Sequence, residues 1–188
     1  PAPSLVPLTP ETGCQSVTET ALRLEEDLAY RPTAPLDSPW LWAVLRPPEQ
    51  IDLAVHLPGV RVAEPVTLTV HVWGQSAMPE NPDHGLRVAW NGETVGDHLW
   101  DGSSLESWTV ALAKAVGEDN TVILQASGET GAAVDVMWLD ALDVAWRRDI
   151  AMDGDAWATW RAEADGNACV SVGDEADGLV GYFVDGQG

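Results

Sequence analysis

Asn91-Gly92 most constrains how this chain can fold, because it stands between two strand-like runs, Leu86-Arg-Val-Ala-Trp90 and Thr94 to Trp100. Both central positions of a tight two-residue hairpin turn need positive φ, which Asn and Gly tolerate, and such turns twist the way paired strands twist. The pair therefore predicts an antiparallel hairpin with Asn91 and Gly92 as its turn. Similar runs recur at short intervals. Ile51-Asp-Leu-Ala-Val-His-Leu57 and Val66-Thr-Leu-Thr-Val-His-Val-Trp73 alternate, and each stops at Pro or Gly. Leu105 to Leu112 alternates again, and Thr121 to Gln125 follows the turn Gly117-Glu-Asp-Asn120.

The longest run, Val134 to Trp146, predicts one face carrying Val134, Val136, Trp138, Leu142, Val144 and Trp146. Asp140 interrupts that face and predicts a bend or bulge there. Trp157 to Ala162, Ala168 to Val172 and Leu179 to Val184 supply three further short strands. Thr18 to Tyr30 is ambiguous: Leu22, Glu26 and Ala29 have helical spacing, while Leu22, Leu24 and Glu26 also alternate. Leu112 to Val116 is at most one helical turn. Arg31 to Pro48 is rich in Pro and Trp, and since proline removes ladder donors it is predicted to drape over a sheet rather than join one. Many short strands joined by polar turns describe an all-β, jelly-roll-like antiparallel β-sandwich with a short C-terminal β extension. The expected organisation is an N-terminal arm (1–19), the sandwich (20–148) and the extension (149–188).

Thirty acidic residues against nine Lys plus Arg give a formal net charge of −21. Nucleic-acid binding needs basic surface to displace counterions, so that class is excluded. No apolar run reaches the roughly 18 residues of a membrane span. The start, Pro-Ala-Pro-Ser-Leu-Val-Pro, lacks the charged and apolar regions of a signal peptide, and the Gly-rich end suggests a cut point in a longer precursor. Acidity of this degree points to salt adaptation or solubility. Cys14 and Cys169 are candidates for a single disulfide in an exported protein, worth at most roughly 5 kcal/mol for so long a loop. Two unrelated thiols are the alternative.

The chain carries ten tryptophans. Most alternate with polar residues and are expected in the core, with each indole N–H seeking an acceptor. Trp40 and Trp42, on the Pro-rich connection, are the candidate ligand-binding residues. Their indole faces suit pyranose C–H faces, and lidding the sandwich is the competing role. His84 and Cys169 invite comparison with a thiol–imidazole dyad. However, His84 sits in a loop opening a hairpin, and Cys169 has no helix N-terminus beside it to lower its pKa. No catalytic residue is therefore assigned. His56 and His71 read as surface residues. The His and Cys spacing supports no metal centre. No cofactor is expected, although the acidic turns 117–120, 153–155 and 173–178 leave a calcium site built from separate loops as an alternative; none completes an EF-hand loop.

Several motifs, in order, resemble the jelly-roll region upstream of the catalytic domain in gingipain-like cysteine peptidases. They are Val72-Trp-Gly74, Pro82-Asp-His84, Leu86-Arg-Val88, Asn91-Gly92, Val95-Gly96 and Trp100-Asp-Gly102. The likeness continues through Asn120 to Leu124, Asp135, Leu139-Asp140, Val144, Trp146 and Arg147-Arg148. It extends to Glu25 to Pro32, Pro39-Trp-Leu-Trp42 and the closing Tyr182-Phe-Val-Asp185. The resemblance implies that Thr18 to Tyr30 is a strand. It also implies a non-catalytic module of an extracellular or cell-surface peptidase precursor, with the peptidase's own His and Cys in a downstream domain. As prodomain or protein-interaction platform it would partner that domain or another protein. A carbohydrate-binding module taking a glycan, and a structural subunit of an extracellular assembly, are the alternatives.

Overall fold

The computed structural model describes residues 17–62, 64–112 and 115–149, and the backbone of 151–152 and 171–172. In chain order, β1 (Val17–Glu25), β2 (Ala29–Tyr30), β3 (Trp40–Leu41) and β4 (Ala43–Leu45) precede β5 (Gln50–His56) and β6 (Val66–Gly74). Next come β7 (His84–Trp90), β8 (Glu93–Trp100), β9 (Leu105–Leu112), β10 (Asp119–Ala126) and β11 (Met137–Asp149). Two short strands, β12 (Ala151–Met152) and β13 (Ser171–Val172), complete the order. Among the described residues there is no helix, so Thr18 to Tyr30 resolves as β1 and β2, and none is long and apolar enough to cross a membrane.

Two sheets make the sandwich. One runs β1-β11-β6-β9, with β4 also paired to β11; the other runs β5-β10-β7-β8. The pairings of β11 with β4 and β6, of β6 with β9, and throughout the second sheet are antiparallel. The fold is the expected jelly-roll-like antiparallel sandwich. Its C-terminal pair, β12 with β13, is parallel instead. Alternation drives the layers together: Val66, Leu68, Val70 and Val72 of β6 face Leu86, Val88, Val122 and Leu124 across one core. Each such side chain contributes about 1.5–3 kcal/mol by leaving water. The Asn91-Gly92 turn forms as expected, with φ of 52° and 83°. Asn91 also ties the hairpin to β10, donating to Asn120 Oδ1 (2.9 Å) and accepting from Thr121 N (2.9 Å).

The bulge expected at Asp140 is present, as a register shift between Leu139 and Ala141. Its consequence overturns the single-face reading of 134–146. One extra residue reverses the side-chain phase, so Met137 and Leu139 enter the main core before the bulge, and Leu142, Val144 and Trp146 after it. Val136 and Trp138 are thereby left on the outer face. There Trp138 lies opposite Trp73 of β6, and both join a second apolar cluster with Ala34, Leu36 and Leu41. The Pro-rich connection does drape over that face, but it also enters the sheets. Its proline-free stretch Trp40 to Leu45 supplies β3, paired with β2, and β4, paired with β11. The expectation that it would stay out failed because donor loss applies only at the prolines themselves.

The sandwich proper is one compact unit, Glu19–Arg148. Cys14, Cys169, Trp157, Trp160 and most of the predicted C-terminal strands lie outside the described residues, as do the acidic turns 153–155 and 173–178.

Candidate functional site

Trp40 and Trp42, the two candidate residues, occupy different environments one residue apart. Trp40 is 42% exposed, whereas Trp42 is half-buried against the main core, its backbone N–H donating to Leu139 O at 2.9 Å. Between them Leu41 is buried in the outer cluster and anchors the hairpin of β2 with β3. Leu28 N donates to Leu41 O (3.1 Å) and Arg31 N to Pro39 O (2.7 Å). This pairing sets Tyr30 opposite Trp40, with ring centroids 5.2 Å apart at 57°. Leu28 (67% exposed) and Tyr30 (53%) stand with Trp40 as an apolar patch on the hairpin. Sequence reasoning missed Leu28 and Tyr30. The available signal was Leu28 directly after three carboxylates, Glu25 to Asp27, with Tyr30 two residues on.

The same segment borders a cleft of about 290 Å³ lined by Leu24, Glu25, Glu26, Trp42, Asp52, Leu53 and Ala54. It opens between β1 and β5, each at the end of its own sheet's strand order. Arg23 beside it is held by Glu25 (2.6 Å), Asp143 (3.2 Å) and Asp140 (3.6 Å). Burial pushes the Asp140 carboxyl above the usual carboxylate range, and the neighbouring Glu25 charge adds to this. Three carboxylates and one indole line an aperture that suits hydroxyl donors or a cation and disfavours anions.

His84 is not in a loop, as expected from its Asn-Pro-Asp-His-Gly context, but is the first residue of β7 and wholly buried. Its Nδ1 donates to Asp135 Oδ1 at 2.6 Å and its Nε2 to Ser76 O at 3.0 Å, an arrangement that needs the imidazolium. Burial opposes that charge, but Asp135 and the Ser76 carbonyl outweigh it and hold the pKa above the ordinary histidine value. Asp83 is buried beside it and accepts from Met78 N (2.6 Å) and Gly102 N (2.7 Å). Despite burial, these donors hold its pKa below the usual range. With both nitrogens committed, His84 has no lone pair to activate a thiol. His56 is exposed as expected, and His71 is only partly so.

A second imidazole has a triad-like setting. His71 Nδ1 lies 2.8 Å from Ser107 Oγ and its Nε2 2.7 Å from Asp143 Oδ2. The three sit on neighbouring strands β9, β6 and β11, beside a Thr69–Thr109 hydroxyl pair that continues the same cross-strand polar row. β6 and β11 are paired on both sides, so their backbone N–H groups serve the sheet ladder rather than an oxyanion above Ser107. No group of three or more metal-ligating side chains occurs among the described residues.

No protein-family description matches the chain, and no curated protein matches it significantly. Solved structures do. Dimeric latent PorU from Porphyromonas gingivalis is 11% identical with a TM-score of 0.62, covering 77% of this chain and 14% of PorU. A carbohydrate-binding module, CBM36, in complex with calcium and xylotriose has a TM-score of 0.46 at 14% identity, covering 65% of this chain and 98% of that one. CBM35 from Cellvibrio japonicus Abf62 has a TM-score of 0.45 at 17% identity, covering 80% and 100%. The likeness to PorU shows a shared sandwich fold, and this chain spans about one-seventh of PorU's length.

Proposed function

We propose that this chain is a non-catalytic β-sandwich module of an extracellular gingipain-like peptidase precursor, acting on its peptidase or another protein as prodomain or interaction platform. The observation that carries this reading is the patch Leu28–Tyr30–Trp40, large apolar side chains left exposed on a hairpin whose other face is packed. Exposed aromatic groups of this kind characteristically anchor protein interfaces. The motif resemblance, which implies such a sandwich, agrees with the fold shared with PorU. The committed nitrogens of His84 and the open sheet setting of Ser107–His71–Asp143 support the absence of catalysis. The test adds the isolated chain to the peptidase domain of the same precursor and measures association by size-exclusion chromatography and inhibition by peptide hydrolysis. Co-elution or inhibition is expected, and the absence of both would sink the reading. Turnover of p-nitrophenyl acetate above buffer that disappears in Ser107→Ala would overturn its non-catalytic part.

A second reading rests on the cleft, where the Trp42 indole and the carboxylates of Glu25, Glu26 and Asp52 suit the C–H face and hydroxyls of a sugar. Quenching of Trp fluorescence by neutral oligosaccharides, lost in Trp42→Ala, would establish carbohydrate binding instead.

A further inference from the structure

The patch and the cleft are neighbours along two chain segments. Leu28 follows Glu26 by two residues, with its N–H on Glu26 O at 3.1 Å, and Trp42 follows Trp40 by two. Charge on this surface is one-sided. Glu25, Glu26 and Asp52 line the cleft, exposed Asp27 adjoins Leu28, and exposed Asp37 lies in the connection leading to Trp40. Of the nearby cations, Arg23 contacts three carboxylates, Glu25 of the cleft among them, and the Arg31 guanidinium lies 4.2 Å over the Trp138 ring. Burial is the main cause of the raised Asp140 pKa, and Glu25 and, more weakly, Asp27 add to it against Arg23 and His71. An aromatic side wall with carboxylates around it favours a desolvating guanidinium or ammonium through cation–π attraction and charge-assisted hydrogen bonds.

We propose that this surface docks a basic, extended segment of a protein partner, its apolar side chains on Leu28, Tyr30 and Trp40 and one arginine or lysine in the Trp42 cleft. The inference rests on the protein-interaction reading above and names the chemistry of the partner. Strand β5, at the end of its sheet's strand order and lining the cleft through Asp52, Leu53 and Ala54, offers an edge along which such a segment can lie.

The probe is a fluorescently labelled decapeptide of alternating arginine and leucine, titrated with the full chain at low salt and followed by anisotropy. Saturable binding is expected. Glu25→Gln/Glu26→Gln/Asp52→Asn is expected to weaken it at least tenfold, and Tyr30→Ser or Trp40→Ala at least fivefold. A matched variant with the same charge change elsewhere, Glu93→Gln/Asp101→Asn/Asp119→Asn, should change it less than twofold. Circular dichroism and the melting curve identify any variant that misfolds, and Tyr30→Ser and Trp40→Ala serve as alternates for that reason. Equal weakening by the two triple variants would reduce the effect to net charge and overturn the proposal. So would equal binding of a glutamate–leucine decapeptide, or displacement of the probe by a neutral hexasaccharide. The two levels separate cleanly. Association with the peptidase domain that is insensitive to the cleft and patch variants overturns the docking surface alone. Specific peptide binding without peptidase association overturns the prodomain role alone.

Discussion

His84 and Asp135 are separated by 51 residues in sequence, yet they form a buried ion pair at 2.6 Å. An imidazolium, Asp135 and Asp83 together fasten the start of β7 to the segments carrying Ser76, Met78 and Gly102. Removing one member leaves a buried charge unanswered. Asp135→Asn is expected to cost on the order of 3 kcal/mol in urea unfolding. The pH dependence has a definite sign. The folded pKa of His84 lies above its unfolded value, so its contribution is full below about pH 6.5 and is lost as pH rises through the folded pKa. Asp83 acts oppositely, stabilising above its unfolded pKa and losing that contribution as acid protonates it. Unfolding free energy measured against pH should therefore fall on the alkaline side in the native chain, and that fall should be absent in His84→Gln. Gly74 sets the adjoining wall, where an added Cβ would come within 2.6 Å of Trp100 Nε1 and 2.7 Å of His84 Nε2. Gly74→Ala is expected to cost about 1–3 kcal/mol by overpacking, read from the same denaturant curves.

At the level of elements, the bulge in β11 decides which tryptophans face the core. Deleting Asp140 would restore strict alternation and turn either Met137 and Leu139 or Leu142, Val144 and Trp146 out of the main core. The deletion is expected to abolish cooperative unfolding. Asp140→Asn keeps the residue count and should be more stable than the native chain at pH 7, because the folded pKa is raised; that advantage should vanish once acid protonates the native carboxyl. The turn gives a milder test. Gly92 has φ of 83° with open space around a hypothetical Cβ, so Gly92→Ala carries backbone strain alone, about 1 kcal/mol by thermal or urea unfolding. That hairpin was legible in the sequence because its signal is local: two residues fix the turn, and the turn fixes the pairing of β7 with β8. Strands β5, β6 and β9 were legible through alternation, β10 through the turn before it, and Asp140 announced the bulge. The phase reversal after it was not legible, since Val136 and Trp138 look like core residues until the outer cluster that receives them is known. Nor was the role of His84, whose partners come from other loops. Strands as short as β3 and β4 carry too few residues for a period of two to register. The candidate site was half visible: Trp40 and Trp42 stood out against prolines, while Leu28 and Tyr30 depended on the pairing of Tyr30 with Trp40 across the intervening connection.

For the molecule as a whole, a formal charge of −21 means that compaction brings like charges together against their mutual repulsion. Local pairing offsets some of it: Arg23, Arg61 and Arg87 each contact carboxylates. Nine cations against thirty acids leave the charge far from balanced. The folded state therefore holds a field that mobile cations should screen, and at 0.1 M salt the screening length is about 10 Å, shorter than the width of a small domain. Sodium chloride is expected to raise the melting temperature from low salt through about 0.5 M, with most of the rise at the low end where the screening length changes fastest. A melting temperature flat across that range would show that self-repulsion is already neutralised. The same ions should act in the opposite direction on the docking surface, because attraction between a basic segment and the carboxylates around Trp42 is screened by the salt that stabilises the fold. Opposite slopes, melting temperature up and peptide affinity down, are hard to obtain from misfolding or general stickiness. A protein that unfolds at low salt would lose affinity there, and one that binds through apolar contact alone would not lose it at high salt.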